Sequence, residues 1–143
     1  METAKGYLKR AIQERLDGDD PLVTKVGGRI YQFMNPESQF PYVVHGEYDT
    51  DTWNSIGRQG EEFFVTIHIF SLYDGSMEAD DIEADILRLL GNVDDIVLEK
   101  HCFQNSFLDN SNEVIDVDHE ERARHHILVF RILVRFEEEE EED

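Results

Sequence analysis

The chain has 143 residues, of which 40% are hydrophobic and 10% aromatic, so we expect a single globular domain large enough for its own core. Its 33 acidic and 13 basic residues give a formal net charge of −20. This charge disfavours nonspecific binding to nucleic acid and to anionic membranes, since both depend on Lys and Arg. No apolar stretch approaches the ~20 residues of a membrane-spanning helix, and the single cysteine, Cys102, excludes an internal disulfide.

The acidity is spread along the chain. Residues 137–143 are all acidic and contribute −7, which leaves −13 on the rest. We expect this acidic tail to be disordered by self-repulsion and residues 1–136 to form the single domain. Many acids with only four lysines resemble proteins from salt-accumulating halophiles, in which high salt screens like charges. A surface that lets nucleic acid pass without binding, or a general solubility bias, would also explain the charge.

The N-terminal third predicts a helix followed by two short strands. Thr3–Leu16 is amphipathic at helical spacing, and Thr3 is a candidate cap. Leu22–Val26 reads as one apolar turn that Gly27 and Gly28 end, where a positive φ costs little. Arg29–Phe33 is a short predicted strand, and Pro41 introduces the next one, over Tyr42–Tyr48.

The middle of the chain predicts a polar loop, a strand and a helix. Asp49–Gly60 is polar, holds two glycines and is expected to be an exposed loop. Glu61–Phe70 alternates apolar residues on one face and is fairly apolar on the other, so we expect it to be central in its sheet. Ser76–Leu90 has a buried stripe at helical spacing and is the second predicted helix.

The last third predicts three strands. Ile96–Leu108 is strand-like, Asp109–Asn112 is a predicted turn, and Val114–Val117 continues a hairpin. Arg124–Phe136 is the longest predicted strand. The order is therefore α-β-β-β-α-β-β-β, which favours an α+β fold: a mostly antiparallel β-sheet with two main helices packed on one face.

Histidines and acids near the C-terminus are candidate metal ligands. Asp116, Asp118, His119 and His126 could combine in a small metal-dependent enzyme. His125 and His126 are neighbours in a strand and point to opposite faces, so they cannot bind one ion together without a bulge. We expect a solvated turn and ordinary strand residues, with no catalytic, cofactor or metal site, and keep the enzyme as an alternative.

The other reactive side chains also favour ordinary structural roles. The second helix contains four acids that are expected on its solvent side: Asp80, Asp81, Glu83 and Asp85. A chain with 33 acids contains many chance pairs, so we expect solvated charge here and not a paired-carboxylate active site. Cys102 is expected to be a small buried residue rather than a nucleophile.

The order of several short motifs resembles a known family. The motifs are VGGRIY at Val26–Tyr31, PYVVHGE within Phe40–Glu47, a strand over Glu62–Phe70, a helix over Asp80–Leu90 and VFRI at Val129–Ile132. In this order they resemble the tail terminator (tail completion, head-to-tail joining) family of long-tailed bacteriophages, archaeal tailed viruses and gene transfer agents. The resemblance covers about Ala4 to Phe136, nearly the whole chain.

The resemblance implies a non-enzymatic virion protein of the tail and neck, present in the host cytoplasm during assembly. Such a protein forms a homo-oligomeric ring, expected to be a hexamer, at the head-proximal end of the tail tube. The ring stops tube polymerisation and joins the tail to the head connector or stopper protein, while DNA passes through its lumen without specific binding. The net charge is compatible with that passage, since an acidic lumen does not hold DNA.

Ring closure needs complementary patches on each subunit. The candidate interface residues are Trp53, Arg58 and Tyr48, together with exposed strand edges; Trp53 either anchors an interface or folds back on its own domain. The alternatives to a tail terminator are another neck protein, such as a stopper or connector, the metal-dependent enzyme above, and an acidic inhibitor that mimics DNA.

Overall fold

The computed structural model describes residues 3–55, 58–72, 76–116 and 123–136. Over these ranges, three helices and five strands follow one another along the chain. They are α1 (Lys5–Asp17), α2 (Asp20–Val26), β1 (Ile30–Tyr31), β2 (Tyr42–Ser55), β3 (Arg58–Leu72), α3 (Ser76–Leu90), β4 (His101–Asp116) and β5 (Ala123–Phe136).

The five strands form one sheet in the order β1-β2-β3-β5-β4. β2 with β3, β3 with β5, and β4 with β5 are antiparallel, and only the short β1 runs parallel to its neighbour β2. β3 is the middle strand, as its apolar residues on both faces predicted. The α+β class and the mostly antiparallel sheet are therefore confirmed.

All three helices contribute to one core on one side of the sheet. Alternate residues of β3 and β5 point to that side, because side chains alternate along a strand. The helices supply Leu8, Ile12, Leu16, Leu22, Val26, Ile82 and Ile86, and the two strands supply Phe63, Val65, Ile67, Ile69, Leu128, Phe130, Ile132 and Val134; all are fully buried. Each of the larger side chains contributes roughly 1.5–3 kcal/mol by leaving water.

α1 is held at its start by a strand residue. The Glu61 carboxylate of β3 accepts hydrogen bonds of 2.7 Å from both the Ala4 backbone N–H and the Thr3 hydroxyl. The N-cap residue is Ala4, and its side chain makes no capping bond, so the predicted cap at Thr3 is displaced by one residue. The Lys5 N–H still donates to the Thr3 hydroxyl at 3.2 Å.

The predicted apolar turn is a complete short helix, α2. Asp19 caps it by accepting a bond from the Leu22 N–H at 3.2 Å. The same carboxylate receives two bonds from Arg88 of α3, at 2.7 and 3.0 Å, and this guanidinium lowers the pKa of Asp19. Gly27 then ends α2 with φ of 60°, and Gly28 follows at 75°, as the sequence predicted.

Two predicted breaks in the strands are wrong. The region Asp49–Gly60 is not an exposed loop, because β2 continues to Ser55 and β3 begins at Arg58. The predicted turn at Asp109–Asn112 is continuous strand within β4. Both segments are polar, but strand pairing satisfies their backbone groups: residues 49–55 pair with residues 58–64 across the β2–β3 hairpin, and residues 109–112 lie against β5. That pairing outweighs local turn preference.

The irregularities of β4 accommodate its turn-forming residues. The register of β4 against β5 shifts between Phe103 and Asn105 and again between Leu108 and Asn110. Such bulges bend an edge strand without ending it. Strand β4 starts at His101, so the predicted strand at Ile96–Leu108 begins five residues too early, and Val117 lies outside the described residues.

Candidate functional site

The sheet has two stretches of edge that no neighbouring strand covers in the described parts of the chain. On β2, the two-residue β1 pairs only with Val43 and Val44, which leaves Glu47–Ser55 open. On β4, a bridge joins Val93 to Ser106, and beyond it Phe107–Asp116 is open. We call these stretches the β2 edge (Glu47–Ser55) and the β4 edge (Phe107–Asp116).

The two edges lie diagonally across the sheet. The β2 edge pairs through β3 with the C-terminal part of β5, from Val129 onward. The β4 edge pairs with the N-terminal part of β5, between Ala123 and Arg131. Open strand edges present unpaired backbone N–H and C=O groups, which can pair with another chain. An edge on each side of the sheet allows every copy to contact two neighbours through two different surfaces.

The β4 edge also exposes apolar side chains. Leu108, Val114 and Ile115 are 37%, 44% and 49% exposed. Both edges are acidic by sequence: the β2 edge contains Glu47, Asp49 and Asp51, the β4 edge contains three acids, and neither has a lysine or arginine. Apolar positions framed by charge are typical of a surface that another protein covers.

The side of the sheet opposite the helices is a second surface to consider, and no described helix packs on it. It carries a small aromatic cluster in which Tyr42 stacks on Phe70 at 4.7 Å between ring centroids. Beside it, His68 Nδ1 lies 2.6 Å from His125 Nε2, and His68 Nε2 lies 2.7 Å from a Glu47 oxygen. This network ties three strands together on the face opposite the helices.

Tyr48, a predicted interface residue, is buried within its own domain. Its hydroxyl is 2.8 Å from His45 Nδ1, and the Lys9 ammonium lies 5.3 Å from its ring centroid. Burial raises the pKa of Tyr48 and lowers the pKa of His45 to about 4. His45 Nε2 is 2.6 Å from the Gln13 amide oxygen, which can only accept, so the neutral imidazole donates from Nε2 and accepts the Tyr48 hydroxyl at Nδ1.

Trp53 and Arg58 lie near the tip of the β2–β3 hairpin. In the register of these strands, Trp53 pairs with Gly60, and Ser55 pairs with Arg58. Their side chains lie outside the described part of the structure, so their role at an interface stays a prediction. Their backbone positions place both at the end of the β2 edge.

The structure does not bring the four candidate metal ligands near the C-terminus together among its described residues. Asp118 and His119 lie outside the described residues, and Asp116 ends β4 opposite Ala123. His125 and His126 do lie on opposite faces of β5, as predicted. His126 instead faces the first turns of α3, where Asp80 and Glu83 approach it.

The sequence alone places Asp80 and Glu83 on the solvent side of α3 and does not connect them with His126. Their i,i+3 spacing places them on one side of α3, but only the packing of α3 on β5 brings His126 against them.

Two burial predictions are wrong. Asp85 is not on the solvent side of α3; it is 8% exposed, because it pairs with Lys25 at 2.6 Å and with Arg88 at 3.2 Å. Cys102 is exposed rather than buried, since it points away from the core next to the buried His101.

Comparison with known proteins identifies the family. The family model described as "Tail completion protein gp17" matches residues 10–135. A chain of the solved structure "Virion of native gene transfer agent (GTA) particle" has the same fold with a TM-score of 0.81; at 21% identity, the match covers 94% of this chain and 99% of that one. No curated protein matches the chain. Among the described residues, no helix has the length and apolar character that a membrane crossing requires. Because the family model spans most of the sequence, the chain belongs to the tail completion protein gp17 family.

Proposed function

We propose that this protein is a structural component of the virion neck that completes the tail. It caps the head-proximal end of the tail tube as a ring, stops tube polymerisation and joins the tail to the head connector. The family match over residues 10–135 carries this proposal, and the similar fold of a chain from a gene transfer agent particle supports it. No catalytic step and no cofactor are part of the proposed role.

The two open edges support a ring. The β2 edge of one subunit faces the β4 edge of the next, and the same contact repeats until the ring closes. We propose six subunits, as the family resemblance implies. Trp53 and Arg58, at the end of the β2 edge, are the proposed contact residues at this interface, and the buried Tyr48 supports the strand behind them.

The charge of the chain supports passage of DNA without binding. A protein holds DNA mainly by replacing counterions on the phosphates with Lys and Arg. With 33 acids against 13 bases, a ring of this chain has few such groups to offer. The proposed lumen is therefore acidic, and it repels the passing phosphates.

The test is assembly of the purified chain, alone and mixed with the tail tube protein of the same virus. We expect a discrete ring by light scattering and negative-stain microscopy at high salt, and rings seated on one end of each tube in the mixture. Tubes assembled with the protein should stop growing. A strict monomer under both conditions would contradict the proposal, and binding to the head connector but not to the tube would indicate a stopper instead.

A further inference from the structure

His126 is a buried histidine with no hydrogen-bond partner. Its side chain faces the helix side of the sheet and is 1% exposed, and neither Nδ1 nor Nε2 makes a hydrogen bond among the described residues. Buried polar groups in folded proteins are nearly always satisfied, so two open nitrogens on one buried ring indicate a missing partner.

Carboxylates surround this ring at a distance that is too long for good hydrogen bonds. His126 Nδ1 is 3.5 Å from a Glu83 oxygen, and Nε2 is 3.8 Å from an Asp80 oxygen. One ring nitrogen and one oxygen from each carboxylate lie within 4.8 Å of one another. A single ion takes only one of the two ring nitrogens. Two ligands that each sit about 2.1 Å from a tetrahedral metal ion are about 3.4 Å apart, so either nitrogen and its nearer carboxylate are spaced for one cation. The remaining carboxylate lies near enough to complete the set after a small side-chain shift.

The local charge also favours a cation. Asp80 and Glu83 come from successive turns at the start of α3, and Glu113, the register partner of His126 on β4, has an oxygen 3.5 Å from Nε2. Arg124 forms an ion pair with Glu113 and neutralises that carboxylate. The charges of Asp80 and Glu83 are left facing the His126 ring.

We propose that Asp80, Glu83 and His126 bind one divalent transition-metal cation of the Zn²⁺ type. One imidazole nitrogen with two carboxylates suits zinc and its neighbours better than Mg²⁺ or Ca²⁺, which prefer oxygen ligands only. The fourth position is open to water or to Glu113. The cation connects the start of α3 to β5, next to the β4 edge, and its role is structural. This site is independent of the proposed ring.

The test is titration of the full chain, freed of metal by a chelator, with Zn²⁺ in an isothermal calorimeter. We expect one site per chain and a higher melting temperature with the metal bound. Asp80→Asn and Glu83→Gln should each weaken binding about tenfold or more, since even indirect partners of a metal ligand cost that much. Both side chains are partly exposed, at 63% and 27%, so neither change should prevent folding.

The matched control is Asp81→Asn, which removes the same charge from the next residue of α3, where the side chain is exposed. It should bind Zn²⁺ as the unchanged protein does. Two results would overturn the proposal: no Zn²⁺ binding by the unchanged chain, or equal binding by all variants. Equal binding would show that the acidic surface and tail collect the metal without a site. Mg²⁺ titrated in the same way should bind more weakly at this position.

Discussion

At the scale of single residues, a few polar groups that are buried or half-buried connect elements that are distant in sequence. Glu61 holds the start of α1 from the middle of the sheet, and Asp19 joins α2 to α3 through Arg88. His45 joins α1 to β2 between Gln13 and Tyr48. Each of these groups is costly to leave unpaired once buried, and each yields a measurable effect.

Glu61→Ala should destabilise the fold by about 1–3 kcal/mol, because the buried Ala4 N–H loses its acceptor and the Thr3 hydroxyl loses its partner. Urea denaturation followed by circular dichroism measures this loss. Glu14→Ala, which removes an exposed acid from α1, should change the free energy of unfolding by no more than about 0.5 kcal/mol. Equal effects of the two substitutions would show that Glu61 does not hold the helix.

The buried neutral His45 makes stability depend on pH. Its folded pKa is about 4, below the ordinary value near 6.5, so the unfolded chain binds a proton first as pH falls. Stability attributable to His45 is complete above about pH 6.5 and declines as pH falls toward 4, by roughly 2 kcal/mol between pH 7 and pH 5. His45→Gln should lose correspondingly less stability over that interval in denaturation curves. Identical losses in both proteins would contradict this assignment.

At the scale of elements, the strands differ in whether one or both of their edges are paired within the chain. β3 and β5 are paired on both sides, while the β2 edge and the β4 edge are each paired on one. Half-exposed Ile115 on the β4 edge contributes little to the core, so a role in assembly is separable from a role in folding.

Ile115→Glu should prevent ring formation while leaving the subunit folded, because it places a further charge at the proposed contact. Val97→Glu is the matched control: it adds the same charge at a site that is 87% exposed and outside both edges. Light scattering at high salt gives the oligomeric state, and circular dichroism gives the fold. Loss of the ring in both variants, or in neither, would argue against pairing through the β4 edge.

At the scale of the whole molecule, charge opposes the assembly that the edges permit. The two edges that pair in the proposed ring are both acidic, and the chain as a whole carries −20. Like charges placed opposite one another across a strand pair are unfavourable. Salt weakens that repulsion, since the Debye length falls from about 10 Å at 0.1 M to about 3 Å at 1 M.

The fraction of chains in rings should therefore increase with NaCl between about 0.1 and 1 M. Sedimentation velocity at a fixed protein concentration measures it. A chain without residues 137–143 carries −13 instead of −20 and should assemble at lower salt. A ring that dissociates as salt rises would instead indicate an interface made of complementary charges.

Apolar periodicity within a single segment was enough to predict several helices and strands. The α3 helix matched its prediction from Ser76 to Leu90, because its apolar stripe repeats at helical spacing. The alternation in β5 and the two apolar faces of β3 likewise predicted a long strand and a central one. The order of the sequence motifs was enough to indicate the family.

Only the tertiary structure decided whether the polar segments are loops or strands. Asp49–Gly60 and Asp109–Asn112 have the composition of loops, and they are strands because a neighbouring strand satisfies their backbone groups. The contacts of Glu61 with Ala4 and of His126 with Asp80 join residues 57 and 46 positions apart. Such contacts arise from sheet register and helix packing, which depend on the whole chain, whereas periodicity depends on neighbours within a few residues.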